Sequence, residues 1–258
     1  MNQLLTLVQK EWLEMVRNYR IIWVPITFII IGLTDPFTSY FLPDIIKSAG
    51  GLPEGAVVSI PTPSAPEVFF MSLEQFNLLG ILVIVLLNMG SVSNERQSGV
   101  ISMILVKPVS YVNFISSKWL SSIILIFPSI ILGSLASWYY TSLLFERIPF
   151  AHFINSIVIF LVWIMFVISI LLFLNSFLSS SMMIGFISII IIMIINLIGG
   201  LLTKQMAWSP GQLSKYIGEY LITGKFSQHT SASIVATLII SFILFLGSVL
   251  LFKRSIAE

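Results

Sequence analysis

Few residues in this chain could carry chemistry. Its 258 residues include two histidines, no cysteine, eleven Asp and Glu, and thirteen Lys and Arg. The absence of cysteine excludes disulfides and thiolate metal sites. His152 and His229 lie far apart with no acid at a fixed offset, and the only aspartates are Asp35 and Asp44. A His-Glu-x-x-His metal motif, an aspartate pair or a nucleophile–base pair is what an intramembrane enzyme would need, and none is present. A phosphate-binding Gly-x-x-x-x-Gly-Lys-[Ser/Thr] loop is also missing. The nearest approach, Gly218 to Gly224-Lys225-Phe226, has one residue too many and no hydroxyl after the lysine. No metal or cofactor is expected in this chain, and ATP chemistry would have to come from a partner.

Two groups of residues remain. The first is the polar run Asn94-Glu95-Arg96-Gln97-Ser98-Gly99, which continues through Ile101, Ile104, Leu105, Lys107, Pro108, Val109 and Ser110 to Lys118. Residues 95–106 can form an amphipathic helix with Val100, Ile101, Ile104 and Leu105 on one side, ended by Pro108. A glutamate at a helix centre in lipid is costly, so Glu95 belongs at or outside the interface. The run is either a partner-facing loop or a solvated connector. The second group is polar residues inside apolar runs: Asp35 before Pro36, and Asn88, Asn175 and Asn196. Intramembrane polar groups either face a water-filled path or hydrogen-bond between helices. For Asp35 the alternative is that the helix ends near Thr34 and leaves the carboxylate among headgroups.

The elements that must position these residues are membrane helices. The chain is 57% apolar and 9% charged, against about 45–50% and about 25% in a soluble domain. Too few polar side chains exist to coat a water-facing surface. The net charge of +2 is too small and scattered to imply nucleic acid. Apolar runs long enough to cross a bilayer extend over roughly 21–41, 76–90, 119–145, 153–174, 182–202 and 234–252. They predict an all-α polytopic fold of six transmembrane helices over 21–258. Residues 1–20 precede them as an amphipathic interfacial helix, with Leu4, Leu5, Val8, Trp12, Met15 and Tyr19 on one stripe and Lys10, Glu14 and Arg17 opposite. Its charges would interrupt the apolar core of a cleaved signal peptide.

With both termini inside, Lys10, Arg17, Arg20, Arg96, Lys107, Lys118, Lys253 and Arg254 are cytoplasmic, and Lys47, Arg147, Lys204, Lys215 and Lys225 are outside. That balance favours cytoplasmic termini. Residues 43–74, with five prolines and Gly50-Gly51, predict an irregular external loop. Residues 175–181 predict a tight turn, and 208–224 a short outer interfacial helix opened by Ser209-Pro210 and closed by Gly224. Pro25 and Pro128 predict kinks. The connection 91–118 is long for a turn, since most are about 4–6 residues.

The series Glu95, Gly99, an apolar helix through Ile101 and Leu105, then Pro108-Val109-Ser110 and Lys118 resembles the first cytoplasmic loop of ABC-2-type permeases. The order of features over the whole chain is also similar: Lys10-Glu11-Trp12 in an amphipathic start, six spans, a first external loop, and an outer helix before the last span. Leu33–Pro43 and Pro61-Thr62-Pro63-Ser64 resemble the short bacterial members encoded beside their ATPase. Tyr111 departs from the pattern, standing where many relatives have a basic residue. The resemblance implies an ABC-2 (type V exporter-like) architecture in a bacterial plasma membrane. It further implies a coupling helix (Glu95, Gly99, Ile101, Leu105, Pro108, Ser110) docked on a separate ATPase that binds ATP and Mg. Two ATPase copies and a second permease copy or paralogue would complete the unit. Asp35, Asn88 and Asn196 would be the places to seek a substrate path. A non-transporting immunity or sensor subunit on the same fold is the alternative, with an intramembrane enzyme a distant third. A secondary transporter is disfavoured because no internal repeat is evident.

Overall fold

The computed structural model describes residues 3–48, 63–99, 110–203 and 205–257. Every element among them is helical. The order is α1 (Gln3–Arg17), α2 (Arg20–Ser48), α3 (Ala65–Gln75), a π-helical turn (Phe76–Gly80), α4 (Ile81–Asn88) and α5 (Ser93–Gln97). There follow α6 (Tyr111–Leu144), α7 (Phe150–Phe177), α8 (Ser181–Leu201), a 3₁₀ turn (Pro210–Gln212), α9 (Leu213–Thr223) and α10 (Thr230–Ala257). Six candidate membrane spans result: α2, the run α3 to α5, α6, α7, α8 and α10. The expected all-α, six-span fold is therefore present.

Alternation of the spans places both chain ends, α5 and the 178–180 turn at one end of the bundle, called here the terminal end. Hydrogen bonds tie these parts together: Arg96 donates to the Ser176 carbonyl at 2.7 Å and to Ser255 Oγ at 3.0 Å. The distal end carries residues 145–149 and α9. Helix α7 is the central element, with 72% of its most apolar stretch buried, whereas α10 buries 17% and α2 and α8 each 28%. The outward faces of those three helices are apolar because their solvent is lipid.

Close backbone approach sets the packing of α2 on α6. A Cβ on Gly32 would lie 2.4 Å from the Gly133 carbonyl oxygen, and one on Gly133 would lie 2.5 Å from the Phe28 carbonyl oxygen. Small residues let membrane helices approach in this way, gaining dispersion contacts that apolar solvent cannot supply. Phe28 and Phe76 meet beside the contact, and Phe76 meets Phe160 of α7. The π-helical turn therefore lies where three helices cross.

Several boundaries differ from the expected ones. The external loop does not occupy 43–74, because α2 continues through Pro36 and Pro43 to Ser48 and α3 begins at Ala65. Proline is tolerated inside membrane helices, where neighbouring groups re-satisfy the freed carbonyl. Pro66 stands in the first turn of α3, where its missing N–H costs nothing. Ser64 N–H and Oγ both donate to the Glu67 carboxylate, at 2.7 and 2.8 Å, and fix that start. Asp35 is consequently inside a helix rather than beyond its end. The third span begins at Tyr111 instead of 119, and the turn expected at 175–181 narrows to 178–180. The continuous helix expected over 95–106 is interrupted, since α5 stops at Gln97 and Gly99 has φ +72°. Helix α9 ends as expected at Gly224, in the left-handed region. Leu213, Tyr216, Ile217, Tyr220 and Leu221 are nonetheless buried, so α9 packs onto the bundle end.

Candidate functional site

Four charged side chains from three elements converge at the terminal end. Lys118, in the second turn of α6, is 4% exposed, and its ammonium lies 2.8 Å from carboxylate oxygens of both Glu11 (α1) and Glu95 (α5). Lys10 also donates to Glu95 and lies 3.3 Å from Glu11. Two lysines and two glutamates thus form an alternating, charge-balanced node. Burial alone would depress the Lys10 ammonium. Its hydrogen bond to Glu95 and the charges of Glu11 and Glu95 outweigh that effect and raise it above 10.5.

The helix that delivers Lys10 and Glu11 is held by its inner face. Met15 and Glu11 are buried, whereas Leu5, Trp12, Leu13 and Tyr19 are exposed. Tyr19 adopts φ 55°, turning the chain from α1 into α2. Seated along α6, α1 presents a carboxylate inward, and that carboxylate is matched by Lys118. The apolar stripe of the sequence identified the amphipathic helix but not Glu11. The signal was Lys10-Glu11 one turn before Met15, on the same face.

Helix α5 is positioned by a buried asparagine. Asn175, near the end of α7, is fully buried. Its side-chain Oδ1 accepts from the Val92 and Ser93 N–H groups at 3.3 and 3.4 Å. Its amide donates to the Asn88 and Leu171 carbonyls at 3.0 and 2.9 Å. These bonds satisfy backbone groups released where the second span breaks between Asn88 and Ser93. Ser181 Oγ donates to Asn94 Oδ1 at 2.6 Å, and Gln97 donates to the Ser179 carbonyl at 2.7 Å. Segment 92–97 is therefore fastened to α1, α6, α7, α8 and α10.

The expected site residues separate on this frame. Glu95 turns into the bundle, its side chain 13% exposed, rather than outward. Gly99 ends α5 in a left-handed conformation that a Cβ would strain. Ser110 is the exposed residue before α6. Tyr111 rests its ring on Phe252, in place of a polar contact. Ile101, Leu105 and Pro108 lie outside the described residues. Asn88 joins the node's surroundings, accepting from Ser122 Oγ at 2.5 Å and lining a cavity of about 150 Å³ with Glu11, Glu95 and Lys118. Asp35 and Asn196 do not line that cavity. Asp35 is half-buried in α2, with one carboxylate oxygen that has no partner among the described residues, and Asn196 lies where α8 meets Gly211. The three candidates for a substrate path are thus not gathered at the cavity.

No family model matches the chain. It is 40% identical over 169 residues to the uncharacterized transmembrane protein YxlG of Bacillus subtilis (strain 168), a match covering 66% of each chain. Composition, six spans and this likeness agree that the chain is an all-α polytopic membrane protein.

Proposed function

We propose that this chain is the permease subunit of an ATP-binding cassette exporter, driven by a separate ATPase. Two permeases and two ATPases form the working unit in a bacterial plasma membrane, with both termini cytoplasmic. The observation supporting this reading is the fastening of segment 92–97. A short element at the terminal end is bound by ion pairs and hydrogen bonds to α1, α6, α7, α8 and α10. A force applied to the adjoining loop would reach five helices at once. The clustering of Lys10, Arg17, Arg20, Arg96, Lys118, Lys253 and Arg254 at this end supports its cytoplasmic assignment.

In this mechanism ATP binding draws the ATPases together and displaces the segment 98–110 docked upon them. The Glu95–Lys118 pair passes the displacement to α6, and Glu95–Lys10 passes it to α1. Ile101, Leu105 and Pro108 supply the docking surface, whereas Glu95 is an internal link. The test is ATP hydrolysis by the complex of this chain with its ATPase, reconstituted in vesicles. Glu95→Gln should retain the ATPase but lower permease-stimulated hydrolysis. Loss of the ATPase in that variant would make Glu95 a docking residue. Absence of stimulation by the unaltered chain would contradict the exporter reading.

A further inference from the structure

The cavity beside the charged node measures about 150 Å³. Drug-sized ligands need about 300–1,000 Å³, so this volume suits a small polar group or about five waters. Its wall changes from the interior to the mouth. Inside, Ser121 is 3% exposed, and neither its hydroxyl nor one carboxylate oxygen of Glu95 has a partner among the described residues. Glu11, Glu14 and Glu95 bring carboxylate oxygens within 4.8 Å of one another. That set is a poor metal site. The Lys118 ammonium already stands 2.8 Å from two of these residues, and a metal ion would be placed against it. At the mouth, Glu14 and Arg20 face each other at 3.9 Å with side chains 43% and 33% exposed. Leu86, 64% exposed on a membrane span, continues the wall toward lipid.

A cation, an anion and an apolar surface, together at the end of a membrane span, match a zwitterion with a hydrocarbon tail. We propose that this cavity seats the headgroup of an amine-bearing bilayer phospholipid. Its phosphate rests on Arg20, and its primary ammonium passes Glu14 toward Ser121 and the free oxygen of Glu95. An acyl chain runs over Leu86. A choline headgroup has the charge but no N–H to donate, and a glycerol headgroup has no positive charge, so the site discriminates by hydrogen bonding as well as charge. This inference does not depend on the exporter reading, since it concerns a site within one chain.

The test uses the full-length chain in vesicles of phosphatidylcholine containing a minor fraction of phosphatidylethanolamine or phosphatidylglycerol. After gentle extraction, retained lipid is counted by native mass spectrometry. The unaltered chain should retain phosphatidylethanolamine about tenfold over its share, a factor discounted for the partly exposed mouth. Glu14→Gln should lower that preference several-fold while keeping phospholipid bound, and Arg20→Gln should lower retention of both minor lipids. Both side chains lie at the mouth, and unchanged helical circular dichroism checks that the variants fold. Equal retention of all three lipids would mean that the cavity holds water only, and would overturn the proposal. An ethanolamine preference unaffected by Glu14→Gln would overturn it as well.

Discussion

At the residue scale, Lys118 is the side chain whose loss should matter most. It is buried and serves two carboxylates, so Lys118→Met leaves two buried carboxylates sharing the partly exposed Lys10 as their remaining counter-ion. Removing one partner of a buried pair costs about 3–5 kcal/mol. Thermal unfolding in detergent should show a large drop, with partial recovery when Glu11→Gln and Glu95→Gln are added. A drop that the added changes deepen would mean that Lys118 acts by packing. Lys10 gives a pH prediction. Its folded value lies above 10.5, so its contribution is complete below 10.5 and disappears as pH rises through the higher folded value. A spin-label distance between α1 and α5 should therefore hold from pH 7 to 10 and lengthen only above that window. Lengthening near neutral pH would exclude Lys10 as the tether. Sequence reasoning marked Glu95 and Lys118 but not their pairing with each other or with α1. Those contacts join residues 85 and 23 positions apart, and no local pattern encodes that separation.

At the element scale, the α2–α6 contact rests on two glycines. Gly133→Ala would push a methyl group into the Phe28 carbonyl and separate the helices. Overpacking of this kind costs about 1–3 kcal/mol. Gly200, within α8, has nothing within 4 Å of an added Cβ. Gly200→Ala should therefore be neutral or stabilise by about 0.5–1 kcal/mol through helix propensity. Paired melting curves check the contrast, and equal effects would contradict the close approach. Element existence was legible because an apolar run of about 20 residues has few alternatives. Element ends were less so. Pro43 and Pro66 read as breakers, yet one lies inside α2 and the other in the first turn of α3. The Ser64 and Glu67 spacing was the better guide, since that pair holds the helix start directly.

At the scale of the whole molecule, chemistry and packing divide along the bundle. The middle is apolar and centred on α7, while charged residues lie toward both ends and the Lys–Glu node lies at the terminal end, where five helices meet segment 92–97. Composition made the membrane environment legible, and the alternation of spans brought Glu95 to the same end as Lys10 and Lys118. The inward turn of Glu95 was not legible, because charge patterning alone does not separate a docking surface from an internal link.

The most direct test of the exporter account is co-purification of this chain with the separate ATPase that the account requires, comparing the unaltered chain with Ile101→Glu and Leu105→Glu. The account predicts a stable complex for the unaltered chain, loss of the ATPase in both variants, and normal membrane insertion throughout. An unaltered, inserted chain that recruits no ATPase would contradict it.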